Sequence, residues 1–245
     1  MTKDPFYYQP PAGSVEVLFA DKDLLIVNKP AGLLTNPGRG PELADCLLSR
    51  VQQDYPTALL VNRLDLATSG LVVFALRRKA EAALKAQFAN RTVAKTYLAR
   101  IWQQPQVSIG NIDLPLIADL TAPPRNKVCL VHGKTALTHY RTLPDSGPNP
   151  LVLLSPTTGR AHQLRVHMQS IGHPILGDRL YGTAEVIAAA GRLLLHAMVL
   201  ELDQPYSGQR LRFVAPADPA AFSLDDDSLT QLLLPVTVCN TTGKS

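Results

Sequence analysis

Cysteine is scarce in this 245-residue chain: Cys46, Cys129 and Cys239 are the only three, widely separated and odd in number. That pattern excludes a disulfide framework and points to a reducing compartment. Long apolar runs are missing as well; none approaches the ~18 residues of a membrane span. Met1-Thr2-Lys3-Asp4-Pro5 lacks the apolar stretch of a secretory signal. A soluble cytoplasmic protein is expected. Strong charge is also absent, with 24 Lys+Arg against 20 Asp+Glu and a formal net charge of +4. Such a balance permits an anionic partner without demanding one. With 15 Gly and 20 Pro, collagen and low-complexity sequence are excluded. What is abundant is apolar surface: 46% of the residues are AVILMFWYC. A chain of this size can bury enough of it to fold without a disulfide or metal staple.

Along the chain, residues 1–14 read as an arm, since their prolines forbid regular structure. Val15–Phe19 and Leu24–Asn28 flank a polar turn and predict a hairpin, and Leu43–Gln53 has helical spacing. Gly70–Leu76 is a continuous apolar run, the mark of a strand covered on both faces. An amphipathic helix is expected over Arg78–Ala89, an alternating strand over Thr92–Ile101 and a further strand over Leu151–Ser155. A second helix is expected over Ala161–Ile171, and a closing strand pair at Leu193–Leu202 and Gln209–Val214. Residues 218–245 read as a tail with one short helix at Ser228–Leu234 and an acidic Asp225-Asp226-Asp227 run. No repeat or linker splits the chain, so residues 15–217 form one domain. Strands outnumber helices and come partly as hairpins, which predicts an α+β fold with a mixed, largely antiparallel sheet flanked by helices and loops.

Several chemistries are ruled out by missing frames. There is no Gly-x-Ser-x-Gly elbow, no Gly-x-Gly-x-x-Gly after a strand, and no Gly-x4-Gly-Lys loop. His162 and His167, five apart, would diverge by about 140° on a helix, which argues against a zinc site. Two segments stand out instead. Asn62-Arg63-Leu64-Asp65-Leu66-Ala67-Thr68-Ser69-Gly70 sets a carboxylate and an arginine at the mouth of the buried strand. From spacing alone, a structural ion pair or a turn-capping Asp is the commoner explanation of such an Asp65. Thr158-Gly159-Arg160-Ala161-His162-Gln163-Leu164-Arg165-Val166-His167 sets Arg165 on a helical face with Ala161 and His162. Its first three residues offer backbone N–H groups to a phosphate. Arg77-Arg78-Lys79, Lys85, Arg91, Lys95 and Arg100 form a basic stretch with Glu81 as its only acid. Beside a site, that stretch would give a polyanion a footprint.

The two segments, with Lys95-Thr96-Tyr97 between them, resemble the RluA family of pseudouridine synthases. Val27-Asn28-Lys29-Pro30, Gly172-His173-Pro174-Ile175-x-Gly177-Asp178 and Leu195-His196-Ala197 fall in the matching order, so the similarity spans about Val15 to Ala217. The resemblance implies the pseudouridine synthase fold and isomerisation of uridine in RNA, with no cofactor and no metal. It implies that Asp65 is the essential catalytic residue, as nucleophile or base. Arg165 would pair with it and hold it ionised, and Tyr97 would stack on the target uracil. A phenol of ordinary pKa near ~10 needs tuning before it can act as a base. Arg63 would fill the stack left by a flipped uridine, Leu164 would floor the pocket, and Asn62 and Thr68 would contact substrate. Asn62 stands where the family usually has His, so altered RNA affinity or loop order is expected there. The implied partner is RNA, either 23S rRNA or the tRNA anticodon stem-loop or both, with no membrane, and a monomer is expected. The rival expectation is a non-catalytic RNA-binding or RNA-folding protein on the same scaffold. A hydrolase using Asp65 with the histidines is a third.

Overall fold

The structure is a computed structural model and describes residues 7–144 and 147–224. In chain order its elements begin with β1 (Glu16–Ala20), β2 (Leu24–Lys29), α1 (Leu47–Asp54), β3 (Leu59–Leu60), β4 (Ser69–Ala75) and α2 (Arg78–Ala89). There follow β5 (Ala94–Arg100), β6 (Ile109–Asp113), β7 (Leu116–Ala118), β8 (Asn126–Val128), β9 (Leu137–Thr142) and β10 (Leu151–Pro156). The last are α3 (Gln163–Ser170), α4 (Ala184–Ala188), β11 (Leu195–Asp203), β12 (Arg210–Val214) and α5 (Pro219–Phe222).

One sheet carries most of the chain, in the order β1-β2-β4-β11-β5-β10-β9-β6, with β12 beside β11 and β3 beside β4. Every pairing in it is antiparallel except β4 with β11, so the sheet is mixed and largely antiparallel, as expected. The continuous apolar run of β4 is explained by what covers it. Leu71 and Val73 face α2 through Ala80 and Leu84, while Val72 and Phe74 face α1 through Leu47 and Val51. A strand buried on both faces has no position for an alternating polar residue.

The parallel contact is short: His196 lies opposite Ser69 and Ala197 opposite Gly70. Gly70 has φ +112°, and a Cβ there would collide with the Ala197 backbone, so the close approach requires glycine. Ser69 Oγ lies 2.9 Å from His196 Nδ1, and His196 Nε2 lies 2.8 Å from the Ala215 carbonyl. Burial pushes the His196 imidazole down to about 4, so it is neutral and links three strands.

The sequence misplaces several boundaries. α1 starts at Leu47 rather than Leu43, because Cys46 caps it: its sulfur accepts the Ser49 N–H and Ser49 Oγ accepts the Cys46 N–H. Residues Pro41–Leu43 form a 3₁₀ turn instead. α3 starts at Gln163 rather than Ala161, because His162 is left-handed at φ +56°. Arg165 therefore does not share a helical face with Ala161 and His162. The described part of the N-terminal arm is tied down: Tyr8 Oη bridges the Asp45 carbonyl and the Leu34 N–H, and Arg50 holds the Pro11 and Gly13 carbonyls. At the other end, Asp218 caps α5 and Phe222 is wholly buried against the β5–β11 core. The packed body thus runs past residue 217, the limit expected for it. Asp225-Asp226-Asp227, the expected helix at Ser228–Leu234 and Cys239 lie outside the described residues.

Candidate active site

The loop before β4 is fixed by its backbone. Thr35 Oγ1 donates to the Leu64 carbonyl (2.7 Å) and accepts the Leu64 N–H (3.2 Å). The Gly32 N–H and the Lys29 ammonium both donate to the Leu66 carbonyl, at 2.9 and 3.2 Å. Lys29 is wholly buried and also donates to the Leu33 and Pro30 carbonyls, at 2.8 and 3.0 Å. Burial pushes it down to about 7, with the charge of Asp65 opposing the fall. Three carbonyl acceptors match the three hydrogens of an ammonium, so the geometry is that of the charged form. Leu64 points into the core, and Arg63 and Asp65, either side of it, face the same opening. The Asp65 side chain is left 27% exposed on a rigid backbone.

Opposite it stands Arg165, on the first turn of α3 and 6% exposed. Its Nε and Nη2 donate to the two oxygens of Asp178, at 2.8 and 2.7 Å, and its Nη1 donates to Asp65 Oδ2 at 3.2 Å. Burial works against the guanidinium charge, but Asp178 and Asp65 hold its pKa above the usual arginine range. Asp178 is itself oriented by the Leu180 and Tyr181 N–H groups. Gly177 precedes it at φ +73°, where a Cβ would strike the Arg192 carbonyl. His162, just before α3, puts Nε2 3.9 Å from Asp65 Oδ2 and Nδ1 2.7 Å from Tyr181 Oη. Burial pushes the His162 imidazole down, against the pull of Asp65. Its left-handed backbone costs roughly 1–2 kcal/mol, the kind of strain that clusters at working sites.

Between the two sides lies an open cleft of about 110 Å³. That is several times the ~10–15 Å³ one water needs, so the space admits a flat ring. Arg63, Asp65, Thr68, Tyr97, Leu164 and Arg165, all named as site residues on the sequence, line it together. Asn62 does not. Its Oδ1 accepts the Val73 N–H at 2.8 Å, which ties the loop to β4, in line with the loop order expected at this position. The Thr68 hydroxyl is buried and has no hydrogen-bond partner among the described residues. Burial, with the charge of Asp65, raises the pKa of Tyr97, which runs against a phenolate base and favours the ring's use as a stacking surface.

Lys95, Arg160 and Arg63 add positive charge to the rim, and among the described residues Asp65 is the one carboxylate lining the cleft. Other members of the basic stretch are spent elsewhere: Arg77 pairs with Asp23, Arg78 and Lys85 pair with Glu81, and Arg100 holds the Phe222 and Asn149 carbonyls. The expected phosphate loop is also partly used, since the Arg160 N–H donates to Gln163 Oε1. His167 turns away to Thr138 and the Leu114 carbonyl. Among the described residues no group of three His, Cys, Asp or Glu is placed to hold a metal. Lys29 and Asp178 carry no role in the sequence, and His162 enters there only among the histidines weighed for zinc or hydrolysis. Their motifs are visible there, but spacing cannot show that residues 13 apart meet in one ion pair.

A family model described as RNA pseudouridylate synthase matches residues 23–170. The chain is 49% identical over 213 residues to the dual-specificity RNA pseudouridine synthase RluA of Escherichia coli O6:H1, covering 86% of this chain and 97% of the relative. It is 50% identical over 203 residues to the protein of the same name from Yersinia pestis, covering 82% and 98%. Among solved structures, the human RNA pseudouridylate synthase domain containing 1 superposes with a TM-score of 0.71 at 28% identity, covering 91% of this chain and 97% of that one.

Proposed function

The chain belongs to the RNA pseudouridylate synthase family, of the RluA type, and is an enzyme that isomerises uridine in RNA; we propose that Asp65 is its catalytic carboxylate. The observation that supports this role is the single contact from Arg165 to Asp65 Oδ2 at the mouth of a cleft that admits a flat ring. The reaction breaks the N1–C1′ bond, turns the uracil, joins C5 to C1′ and moves the C5 proton to N1. Nothing is oxidised or reduced, so a positioned carboxylate is sufficient. It can attack C1′ or take the C2′ proton, and either route frees the uracil to turn. Arg165 aims the carboxylate through its Nη1. Tyr97 stacks on the base, Leu164 floors the cleft, and the unpartnered Thr68 hydroxyl is available to a polar edge of the substrate.

A uridine inside a stack cannot reach this cleft, so it must flip out, and Arg63 on the rim is placed to fill the gap. Lys95 and Arg160 meet the flanking phosphates. Their partner is RNA, and we assign to this chain both 23S rRNA and the tRNA anticodon stem-loop, in keeping with the dual-specificity name of its relatives. The test is to map pseudouridine in both RNAs after incubation with the purified protein. Product in both is expected; product in one alone would narrow the assignment, and product in neither would overturn it. Arg63→Ala should weaken turnover of a structured loop more than of an RNA whose uridine is already unstacked, whereas Tyr97→Ala should affect both alike. Equal penalties for Arg63→Ala would leave that residue a plain phosphate contact.

A further inference from the structure

His162 sits in a hydrogen-bonded chain that fixes which of its nitrogens carries the proton. The Tyr181 phenol is 6% exposed and accepts the Asn126 backbone N–H at 2.8 Å. It has one proton to give, and His162 Nδ1, at 2.7 Å, is the acceptor within reach among the described residues. Nδ1 is therefore the acceptor, and the neutral ring bears its hydrogen on Nε2. That nitrogen faces Asp65 Oδ2 at 3.9 Å. The gap closes to a hydrogen bond with a shift of about 1 Å, and such contacts in substrate-free sites often tighten when substrate binds.

We propose that His162 is a positioning residue for Asp65, held by Tyr181 in the tautomer that offers Nε2–H to the same oxygen that Arg165 engages. This rests on the assignment of Asp65 above and extends it. Two donors on Oδ2 fix the plane of the carboxylate and leave Oδ1 as the oxygen that works. The other tautomer would turn a lone pair toward a carboxylate and repel it. An imidazolium would present a second hydrogen to Tyr181 Oη, which already has one of its own to place. The charged and titratable groups around the ring are Asp65 from the loop before β4, Arg165 from α3, and Asp178 and Tyr181 from the segment after α3. Burial and Arg165 oppose the cation while the two carboxylates favour it, and the balance lies on the neutral side.

The chain of bonds ends outside the cleft. Asn126 opens β8, in the small two-stranded β7–β8 sheet, and the Arg125 guanidinium lies 5.2 Å from the centre of the Tyr181 ring. The geometry thus joins the docking of that hairpin to the aim of the catalytic carboxylate. The left-handed backbone of His162 is consistent with this, since a helical φ would move the ring away from its place between Tyr181 and Asp65.

The test uses the full-length protein, a tRNA anticodon stem-loop and four chains: wild type, Tyr181→Phe, His162→Gln and His162→Leu. Single-turnover rates, RNA affinity and the ring nitrogen resonances of His162 are measured. Tyr181→Phe is expected to lower the rate by about tenfold with affinity changed by less than about twofold, as removal of an aimed contact rather than of binding would do. The His162 ring should pass from the single Nε2–H form to a mixture. His162→Gln, which keeps an N–H near the Nε2 position, should retain more activity than His162→Leu. A wild-type rate in Tyr181→Phe, an unchanged tautomer alongside a lowered rate, or equal rates for Gln and Leu would overturn the proposal. Were Tyr181→Phe unable to fold, the Gln and Leu pair would decide. An inactive wild type would refute the stem-loop as substrate and an active Asp65→Asn the assignment of Asp65, and in either case the tautomer of the unliganded protein would still be readable.

Discussion

Asp178 and Asp65 lie against the same guanidinium, one on each side of Arg165, and the two sides of the site are built differently. Asp178 is 1% exposed, takes two hydrogen bonds from Arg165 and two more from backbone N–H groups. Asp65 is 27% exposed and takes one bond, at 3.2 Å. On the Asp178 side every oxygen is satisfied by protein. On the Asp65 side the backbone is pinned from beneath by Lys29, Thr35 and Asn62, while the carboxylate itself is left open. One acid anchors the cation and the other borrows it. A buried pair with complete hydrogen bonding holds its geometry, whereas an open carboxylate remains free to react.

The largest effect should come from the open side. Asp65→Asn keeps the shape and removes both nucleophile and base, so pseudouridine formation should fall by several orders of magnitude. Its thermal midpoint and RNA affinity should stay close to wild type, because little of the fold leans on that side chain. Turnover within about tenfold of wild type, ~1.4 kcal/mol in the barrier, would remove Asp65 from the mechanism. On the closed side the outcome should differ in kind. Asp178→Asn leaves a buried guanidinium short of a charge, which costs about 3–5 kcal/mol of stability. Denaturant unfolding should show that loss together with a fall in activity. A stable Asp178→Asn protein would mean that the two carboxylates share the anchoring equally, and the contrast between them would disappear.

What the sequence reveals of this arrangement follows the same division. β4 and α2 are legible because covering both faces of a strand, or one stripe of a helix, leaves a periodic record in the residues. Arg63, Asp65, Tyr97 and Arg165 are legible only through a family resemblance, since nothing in their spacing distinguishes a catalytic pair from a structural one. The anchor is harder to see. Asp178 reaches Arg165 through a loop turned by Gly177, and Lys29 reaches the Leu66 carbonyl across the sheet, both tertiary facts. Asn62 is only half legible: adjacency to Arg63 suggests a shared role, whereas its carboxamide oxygen turns back to the Val73 N–H, a tertiary contact. The start of α3 is misread because a left-handed histidine carries no signature. The tail is cut too early because Asp218-Pro219 looks like a chain end but caps a turn that buries Phe222.

Acid should loosen the frame. His196 has a folded value of about 4 against ~6.5 for a free imidazole, so the unfolded chain binds the extra proton first. Its contribution is present above pH ~6.5 and is lost as the pH falls toward 4, on the order of 3 kcal/mol. His167, also pushed down by burial, adds to the loss with the same sign. Urea midpoints should therefore decline steeply between pH 6.5 and 4, and less steeply in His196→Gln. Parallel slopes for the two proteins would show that the strand seam is not what acid attacks.

The smallest effect should come from Thr68, and it separates the two sides most finely. Its hydroxyl is buried beside the cleft without a partner among the described residues, a loss on the order of 1–3 kcal/mol for a polar group left unsatisfied. Thr68→Val removes that hydroxyl at almost constant volume. If the group served the frame, the substitution would destabilise the fold; since it bonds nothing there, stability should hold or rise by up to about 1 kcal/mol. Substrate binding should move the other way. A hydrogen bond to RNA worth about 0.5–1.5 kcal/mol would appear as a fall of roughly two- to tenfold in kcat/KM. A more stable but slower protein would place Thr68 with Asp65 on the open side. A protein both stable and of unchanged kcat/KM would show that the hydroxyl meets no substrate atom, and its burial would then be a cost that the loop bears for its backbone alone.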